Sequence, residues 1–376
     1  MPGEQVATAA ASVEVVGASK RFGAKVALDA IDLAVPAGSF CVLLGPSGSG
    51  KTTLLRCLAG IERLNSGRVS LGSRLVAEGP VHLPPEQRDL SMVFQDYALW
   101  PHLSAVRNVA VALRRRRLPR SEASRQARRM LERVGLGHLA DRYPNEMSGG
   151  EQQRVALARA MVAGTGILLF DEPLSNLDAD LRERMRIEIA TLCRESGATS
   201  IYITHDQSEA FALADVIGVL HDGHLVQSGP PEDVYRRPAS PFVARFTGLA
   251  GELPVVVAGE MRPRWDGGSS LAVRPAAPGR AGLEDIIATV PKGEVSVREA
   301  TLFVRPAGVT LLPPSDPQGH LGAVVLDTAY RGRGYDHALL VDGGQQLIGV
   351  HDERRWECGD RVAVRLAPHS GVVFAS

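Results

Sequence analysis

Between residue 13 and about residue 240, short apolar runs alternate with segments whose apolar residues recur at helical spacing. Phe40–Leu44 is an apolar run followed by a glycine, and Thr52–Leu58 is typical of a helix that ends at Gly60. Gly166–Phe170 predicts a second buried strand, and Ser200–Thr204 predicts a third. Strands and helices that alternate in this way predict an α/β domain with a largely parallel sheet.

Two helical regions lie between these strands. One helix is predicted from about Asp178 to Gly197, with apolar residues at helical spacing at Leu181, Met185, Ile189 and Leu192. Over about residues 98–165 the strand pattern disappears and helical patterns dominate. We therefore predict a helical insertion within the α/β core.

After about residue 245 the pattern changes to short β-rich runs separated by Gly, Pro and Asp turns, which predicts a small β-barrel. The clearest runs are Leu271–Val273, Thr301–Val304, Ala323–Leu326, Ala338–Val341 and Arg361–Leu366. We predict a disordered N-terminus over 1–12, the α/β domain over 13–240 and the barrel over 245–376. Pro238 and Pro241 mark the hinge region.

The charge of the chain points to no polyanionic partner, since Lys+Arg and Asp+Glu are both 42. Lysine is confined to Lys20, Lys25, Lys51 and Lys292, which indicates a general preference for arginine. We therefore interpret Arg114–Arg117 as a solvated helix face, with a site for an acidic partner as the alternative.

The cysteines have no C-x-x-C pair and no metal-ligand spacing. Cys41 and Cys57 lie in apolar patterns, so we expect buried free thiols in a reducing cytosol. The first twelve residues lack the features of a signal peptide, and no apolar run approaches the roughly 20 residues of a membrane helix. We expect a soluble protein whose membrane role, if any, comes through partners.

One glycine-rich segment fits the pattern G-x-x-x-x-G-K-[ST] between a predicted strand and a predicted helix. Its glycines let backbone N–H groups surround the β-phosphate of a nucleotide at the positive end of the helix. The lysine brings positive charge to the β- and γ-phosphates, and the threonine hydroxyl is a ligand for Mg²⁺. The predicted nucleotide-binding residues are Gly45, Pro46, Ser47, Gly48, Ser49, Gly50, Lys51, Thr52 and the adjacent Thr53.

Two other predicted strands are followed by candidate catalytic residues. Asp171 and Glu172 follow an apolar strand, at the end where α/β sheets bind ligands. We expect Asp171 to hold Mg²⁺, directly or through water, and Glu172 to polarise the attacking water as general base. His205 follows the next strand, from which it can reach the γ-phosphate and fix the geometry of Glu172 and the water. The alternative for His205 is a structural histidine.

A second glycine pair lies in Met147–Arg154, where another helix pattern begins. Ser148 and Glu151 have the S-x-x-E spacing of a capping box, so the helix is predicted to start here with free backbone N–H groups. Those donors and the helix dipole favour an anion. The chain therefore has two predicted phosphate-binding helix starts.

The order and approximate spacing of these motifs resemble the ATP-binding subunit of a bacterial ABC-type importer, over nearly the whole chain. Besides the two glycine-rich segments, the resemblance rests on Gln95, Asp171 with Glu172, Ser175–Asp178 and His205. It implies a P-loop NTPase core with a helical subdomain, followed by a small OB-like regulatory barrel. It also implies ATP hydrolysis with Mg²⁺, in a homodimer where each ATP lies between one copy's P-loop and the other copy's S-G-G helix.

The resemblance also implies roles for single residues. Gln95 would contact Mg²⁺ and the water and report the nucleotide state to the membrane subunits. The S-G-G-E block consists of Ser148, Gly149, Gly150 and Glu151. Ser148 and Gly150 would donate to the γ-phosphate across the interface. Asp178 would lie in the loop that links the two sites. Phe22 stands where the family stacks an aromatic ring on adenine; the alternative is a core phenylalanine.

The S-G-G block departs from the family's commonest L-S-G-G-Q at two positions. Met147 replaces leucine with little change in volume, so its effect should be mild. Glu151 puts a carboxylate near a triphosphate, which is repulsive if it points at the phosphates. We expect it instead to bond the Ser148 backbone as the capping-box partner, or to accept from the ribose hydroxyls.

The implied partners are a second copy of the chain, two transmembrane permease subunits and, indirectly, an extracytoplasmic solute-binding protein. The chain would then lie at the cytoplasmic face of the inner membrane, held there by the permease. Tyr97–Leu103 resembles the surface that receives a short permease helix, and the alternative is a buried turn. No nucleic-acid partner is expected.

The C-terminal part resembles the regulatory barrel through Val304–Pro306 and Gly322–Leu340, although Ala307 stands where the family usually has an acidic residue. Tyr330–Tyr335 resembles segments of ferric-iron and polyamine importers, while sugars, sulfate and other solutes stay open.

Two rival functions are less favoured. A soluble ABC ATPase acting on nucleic acid or ribosomes usually has two cassettes or a long coiled coil, and basic–aromatic interleaving in such a barrel. A non-catalytic regulatory subunit conflicts with intact Lys51, Glu172 and His205.

Overall fold

The computed structural model describes residues 10–263, 269–276, 286–290 and 299–375, so most of the predicted disordered N-terminus, residues 1–9, lies outside the described residues. The chain divides into two compact units, Met1–Pro231 and Glu232–Ser376. This division falls before the proline-containing hinge region that the sequence indicates at Pro238 and Pro241.

The strands of the first unit are β1 (Val13–Phe22), β2 (Lys25–Val35), β3 (Phe40–Leu44), β4 (Ser66–Leu71), β5 (Arg74–Glu78), β6 (Val81–His82), β7 (Leu90–Val93), β8 (Ile167–Asp171), β9 (Thr199–Thr204), β10 (Val216–His221) and β11 (His224–Gly229). Its helices are α1 (Lys51–Ala59), α2 (Ala105–Ala110), α3 (Arg120–Arg133), α4 (Gly149–Val162), α5 (Ala179–Ser196) and α6 (Gln207–Leu213), with short 3-10 turns between some of them.

The central sheet of this unit has the strand order β11-β10-β3-β9-β8-β7. Neighbours from β10 to β7 are parallel, and β11 is an antiparallel edge strand, so the predicted largely parallel sheet is confirmed. Every residue of β3, β8 and β9 is buried. Strands of a parallel sheet that are covered on both faces have continuous apolar sequences. This is why these three strands could be predicted from the sequence.

A second sheet, in the order β2-β1-β4-β5-β6, is antiparallel throughout and was not predicted. Its strands alternate buried and exposed residues, as in β1, and they are interrupted by register shifts. A half-buried pattern broken by bulges carries a weaker signal than a continuous apolar run.

Helices occupy the chain between β7 and β8, where every residue is described and none is in a strand. Helix α4 packs against α2, α3 and α5. Its buried residues Val155, Ala156, Leu157 and Ala158 follow one another directly, so the helix is covered on more than one side.

The second unit consists mainly of strands: β12 (Gly251–Val257), β13 (Arg262–Pro263), β14 (Ser269–Pro275), β15 (Ile286–Val290), β16 (Glu299–Val304), β17 (Val309–Leu312), β18 (Leu321–Tyr330), β19 (Tyr335–Val341), β20 (Gln346–Asp352), β21 (Arg361–Leu366) and β22 (Gly371–Ala375). Two short helices precede them, α7 (Pro231–Arg236), which begins at the unit boundary, and α8 (Pro241–Phe246).

These strands form two sheets, in the orders β12-β16-β22-β15-β14-β13 and β17-β21-β18-β19-β20. In the first sheet β12 also pairs with β14, so the paired strands form a closed ring. This closure agrees with the barrel that the short β-rich runs predict. One apolar cluster joins residues from both sheets, among them Leu253, Val273, Leu339 and Val364.

Arg305, the central residue of Val304–Pro306, is 5% exposed in this unit. Its guanidinium donates to the Ala244 and Gly248 carbonyls and to the Thr247 hydroxyl. Burial lowers the pKa of Arg305 to about 10. Its contacts therefore hold the segment around α8 to the strands of the same unit.

Candidate nucleotide-hydrolysis site

The parallel order β3-β9-β8 brings the main candidate residues to one edge of the central sheet. The glycine-rich segment Gly45–Thr52, here called the P-loop, follows β3. Glu172 follows β8, and His205 follows β9. Because parallel strands end at the same edge, three segments that are distant in sequence become neighbours.

Two glycines of the P-loop are required by close backbone contacts. A Cβ on Gly45 would lie 2.3 Å from the Leu220 carbonyl oxygen. Gly50 has φ +105°, and a Cβ there would lie 2.5 Å from the Ala27 carbonyl oxygen. Side chains at these positions would displace backbone, so the loop shape depends on glycine.

Lys51 is buried, with 4% of its surface exposed, at the first position of α1. Its Nζ donates to the carbonyl oxygens of Gly45, at 2.8 Å, and Pro46, at 2.9 Å. Burial lowers the pKa of Lys51, and the negative charges of Glu172 and Asp171 oppose that shift. The lysine therefore places its charge inside the loop and beside both carboxylates.

Thr52 and Asp171 are neighbours, with the threonine Oγ1 3.3 Å from the carboxylate Oδ1. Burial raises the pKa of Asp171, while the Thr52 hydrogen bond and the charges of Arg56 and Lys51 lower it. A hydroxyl beside a buried carboxylate is the type of oxygen pair that holds Mg²⁺ together with nucleotide phosphates. Among the described residues no group of three or more His, Cys, Asp and Glu side chains could hold a metal.

Glu172 and His205 form the second pair of the site. The histidine Nδ1 lies 3.2 Å from Glu172 Oε2. Glu172 has φ +43°, a conformation that costs energy for any residue other than glycine. Ser175 Oγ donates to the Glu172 carbonyl at 2.9 Å, which helps to hold this backbone conformation.

Glu172 and His205 also line a polar cavity of about 40 Å³, together with several residues that the sequence motifs do not indicate. Its lining residues are Glu172, Ser175, Arg182, Thr204, His205, Asp206 and Glu209. Glu209 is 5% exposed and accepts a hydrogen bond from the Tyr202 hydroxyl at 2.9 Å. In the sequence, Glu209 is recognisable only as a carboxylate on the face of α6 that becomes buried. That pattern indicates no particular contact.

The S-G-G segment forms the predicted capping box. Glu151 Oε2 accepts from the Ser148 backbone N–H at 2.7 Å and from its hydroxyl at 2.9 Å, and the Glu151 N–H donates back at 3.4 Å. The expectation that Glu151 bonds back to Ser148 is confirmed. These hydrogen bonds lower the pKa of Glu151.

Within a single chain, no hydrogen bond connects Ser148–Glu151 to the P-loop; both segments are fully described. Gly150 instead faces Leu181 of α5, since a Cβ on Gly150 would lie 2.7 Å from a leucine methyl carbon. The two predicted phosphate-binding helix starts therefore share no hydrogen bond within one copy.

The other predicted site residues lie on the surface or at helix starts. Phe22 is 47% exposed, with Lys20 Nζ 4.7 Å from its ring centre, so it is not a core residue. Gln95 is exposed, and its backbone oxygen accepts from Asn176 Nδ2 at 3.1 Å. Asp178 is the N-cap of α5, where its Oδ1 accepts from the Leu181 N–H at 2.9 Å.

The segment Tyr97–Leu103 is part buried and part exposed. Tyr97 is 7% exposed, whereas Trp100 is 51% exposed. The buried Asn108 side chain accepts from the Trp100 N–H at 2.8 Å and donates to the Leu103 carbonyl at 2.8 Å. A fixed turn therefore presents an indole ring on the surface.

Other expectations can be compared with the structure directly. Cys41 and Cys57 are buried free thiols, as predicted, and burial raises the pKa of each to about 12. Arg114–Arg117 is exposed, as a solvated face requires. In the part of the chain that the structure describes, no helix is both long and apolar enough to cross a membrane.

Two family models match the chain. The model described as ABC transporter matches residues 28–175, and the model described as TOBE domain matches residues 302–374. The first match covers the P-loop, the S-G-G block and Asp171–Glu172. The second lies within the β-rich unit.

The chain is similar to proteins named "Fe(3+) ions import ATP-binding protein FbpC". It is 45% identical to that of Escherichia coli O157:H7 over 364 residues, covering 96% of this chain and 97% of the relative. It is 42% identical to that of Brucella suis biovar 1 (strain 1330) over 338 residues, covering 90% of each chain.

A solved structure adds a match in three dimensions. It is described as the dimeric structure of a post-hydrolysis state of the ATP-binding cassette MJ0796 bound to ADP and Pi. The TM-score is 0.52 at 29% identity, with 58% of this chain and 98% of that chain covered. The chain thus belongs to the ABC transporter family of ATP-hydrolysing proteins, within the group of ATP-binding importer subunits.

Proposed function

We propose that this chain powers the import of ferric iron, as the Mg²⁺-dependent ATPase of an importer at the cytoplasmic face of the cell membrane. The observation that carries the proposal is similarity over almost the full length, TOBE region included, to ferric-ion import ATP-binding proteins. Polyamine import is the second candidate solute, favoured only by the likeness of Tyr330–Tyr335.

The P-loop would bind the phosphates of ATP through its backbone N–H groups and Lys51. On nucleotide binding the lysine Nζ would exchange its carbonyl partners for phosphate oxygens, which favour its charged form. The exposed Phe22 ring would stack on adenine. Thr52, Asp171 and Gln95 would hold Mg²⁺, which when bound offsets the negative charge of the phosphates.

Glu172 would orient the attacking water and accept its proton, and His205 would hold Glu172 through their 3.2 Å contact while reaching the γ-phosphate. Both side chains keep an exposed fraction, 21% and 57%, so water and substrate can reach them. Glu172 also has a strained backbone, with φ +43°, and such residues cluster at functional sites.

We further propose that two copies of the chain complete each site. Ser148, Gly149 and Gly150 of one copy would donate to the γ-phosphate held by the P-loop of the other, with Asp178 in the loop between the sites. Two features support this: Gly149 and Gly150 lie in the first turn of α4, where backbone N–H groups and the helix dipole favour an anion, and the related cassette is described as a dimer with ADP and Pi. ATP would shift the equilibrium toward the closed dimer because both copies contact it there.

The closing motion of the dimer would be transmitted to two transmembrane permease subunits. An extracytoplasmic solute-binding protein would deliver the solute to these subunits. The surface around Trp100 is the candidate contact, since an exposed indole on a fixed turn can bind a partner helix at small entropic cost.

The test is solute uptake by cells of the native host. We would delete the gene and complement it with wild type or with Glu172→Gln, then measure uptake of radioactive ferric iron and putrescine. We expect iron uptake to be lost on deletion and restored only by wild type. Loss of putrescine uptake with normal iron uptake would contradict ferric iron as the solute, while leaving the importer function intact.

A further inference from the structure

Glu172 and His205 share the lining of the polar cavity with Arg182, Asp206 and Glu209. Its one arginine therefore lies among three carboxylates. Arg182 lies on the first turn of α5, directly after the loop Ser175–Asp178. The cavity of about 40 Å³ has room for water, and its lining is mostly polar. Side chains on its walls can therefore interact directly or through water.

Arg182 also binds the loop itself. Its Nη2 donates to the Leu177 carbonyl oxygen at 2.9 Å. Its Nε is buried and has no hydrogen-bond partner among the described residues. The guanidinium is thus held by the loop through Nη2 and has an unpaired donor at Nε, in a side chain that lines the cavity.

The carboxylates around the guanidinium are fixed by their own partners. Asp206 Oδ1 accepts from the backbone N–H groups of Ser208 at 2.7 Å and Glu209 at 3.3 Å. Burial raises the pKa of Glu209, and its bonds with Thr204 and Tyr202 and the charge of Arg182 oppose the rise. The charge of Arg182 therefore acts on carboxylates that are held in place, while its own guanidinium is held by the loop at Leu177.

We propose that Arg182 is a positioning residue for ATP hydrolysis, which links the Ser175–Asp178 loop to the orientation of the Glu172 carboxylate across their shared cavity. Displacement of the loop at Leu177 moves the guanidinium, and this changes the charge that Glu172 faces. Because Asp178 lies in the same loop, the link couples the proposed dimer contact to the proposed general base. The inference rests on the role proposed above for Glu172.

Arg186 provides a matched control one turn further along α5. It also donates to a backbone carbonyl, that of Ser208 at 3.1 Å, and it pairs with Glu183. It is absent from the lining of this cavity, all of which lies in described segments. Arg182 and Arg186 therefore share helix, chemistry and type of contact, and differ in access to the site.

The experiment compares Arg182→Gln, Arg182→Lys, Arg186→Gln and Glu172→Gln in the full-length protein, with kcat, KM for ATP and thermal unfolding measured for each. We expect Arg182→Gln to lower kcat about tenfold, an effect of about 1.4 kcal/mol, with KM nearly unchanged. Arg182→Lys, which keeps the charge, should recover part of kcat, and Arg186→Gln should resemble wild type. Combined with Glu172→Gln, Arg182→Gln should cause little further loss, since residues that act together are not additive.

Equal kcat values for Arg182→Gln and Arg186→Gln would overturn the proposal. So would a fully additive loss in the double variant, or a fall in kcat that follows the melting temperature in the glutamine and lysine variants alike. If Glu172→Gln alone kept wild-type activity, the proposed role of Glu172 would fail, and that result is separate from the Arg182 comparison.

Discussion

At the scale of single residues, Glu172 combines a strained backbone with a hydrogen bond to His205 at 3.2 Å. A residue held at φ +43° persists only when its surroundings compensate the cost, and such residues cluster at functional sites. The strain and the contact are visible only in three dimensions. The sequence shows merely a carboxylate after an apolar strand.

Replacing Glu172 with glutamine should lower kcat by at least about a hundredfold, because glutamine cannot accept the proton of the attacking water. ATP binding should persist, since the P-loop is unchanged. Steady-state ATPase assays and fluorescent-nucleotide binding measure the two effects. Glu188→Gln is the control, because Glu188 is a glutamate of the same unit that pairs with Arg154 and does not line the cavity of Glu172 and His205. Equal losses in both variants would contradict the assignment.

Replacing Glu151 with glutamine should change ATPase activity only a few-fold, because glutamine can also complete the capping box with Ser148. Glu151→Ala should instead destabilise the protein by about 1 kcal/mol through loss of the cap. Chemical unfolding measures the effect on stability, and ATPase assays measure the effect on activity. A tenfold or greater rise in activity for Glu151→Gln would show that the carboxylate repels the phosphates.

Glu151 should also make the stability of the protein depend on pH. Hydrogen bonds from Ser148 lower the pKa of Glu151 in the folded state. Its carboxylate therefore adds stability above the unfolded pKa of about 4.3, and this contribution disappears as pH falls through the lower folded value. We expect wild type to exceed Glu151→Gln in stability by a small margin at pH 7, and the margin to shrink as the pH falls below the unfolded pKa and then through the folded pKa. A margin that grows on acidification would contradict this linkage.

At the scale of elements, the clearest strands and helix ends could be predicted, and the antiparallel sheet could not. Phe40–Leu44 is an apolar run in the sequence and a strand with the same bounds in the structure. Gly60 and Gly197 end α1 and α5 in the left-handed conformation, as their positions after the apolar pattern suggested. β1 and β2 pair with register shifts, and pairing between strands leaves no local signal strong enough to read.

The junction of β3 with the P-loop should be intolerant of any side chain at Gly45. Alanine there places its Cβ 2.3 Å from the Leu220 carbonyl oxygen, so β10 or the loop must shift. We expect a loss of about 1–3 kcal/mol in unfolding free energy, together with weaker ATP binding. Gly229→Ala is the control, because a Cβ on Gly229 meets nothing within 4 Å. Similar unfolding curves for the two variants would contradict the steric argument.

At the scale of the whole molecule, each chain has a P-loop and an S-G-G helix start that do not meet within one copy. Lys51→Ala and Ser148→Arg should each abolish ATPase activity in their own homodimers. Mixed in equal amounts, they should regain up to about a quarter of wild-type activity, since half of the dimers are mixed and each has one intact site. No recovery after verified subunit exchange would contradict the composite site.

The sequence by itself was enough to predict the chemistry: the P-loop and the capping box are local patterns, and the order of the motifs along the chain singles out the carboxylates after β8 and His205. Tertiary structure decided what no local pattern contains. It placed three strand ends at one sheet edge, strained the backbone of Glu172, exposed Phe22 and brought Arg182 into the lining of the same cavity as Glu172 and His205. The physical reason is distance along the chain, since contacts between separate elements depend on strand order and packing that short-range spacing does not encode.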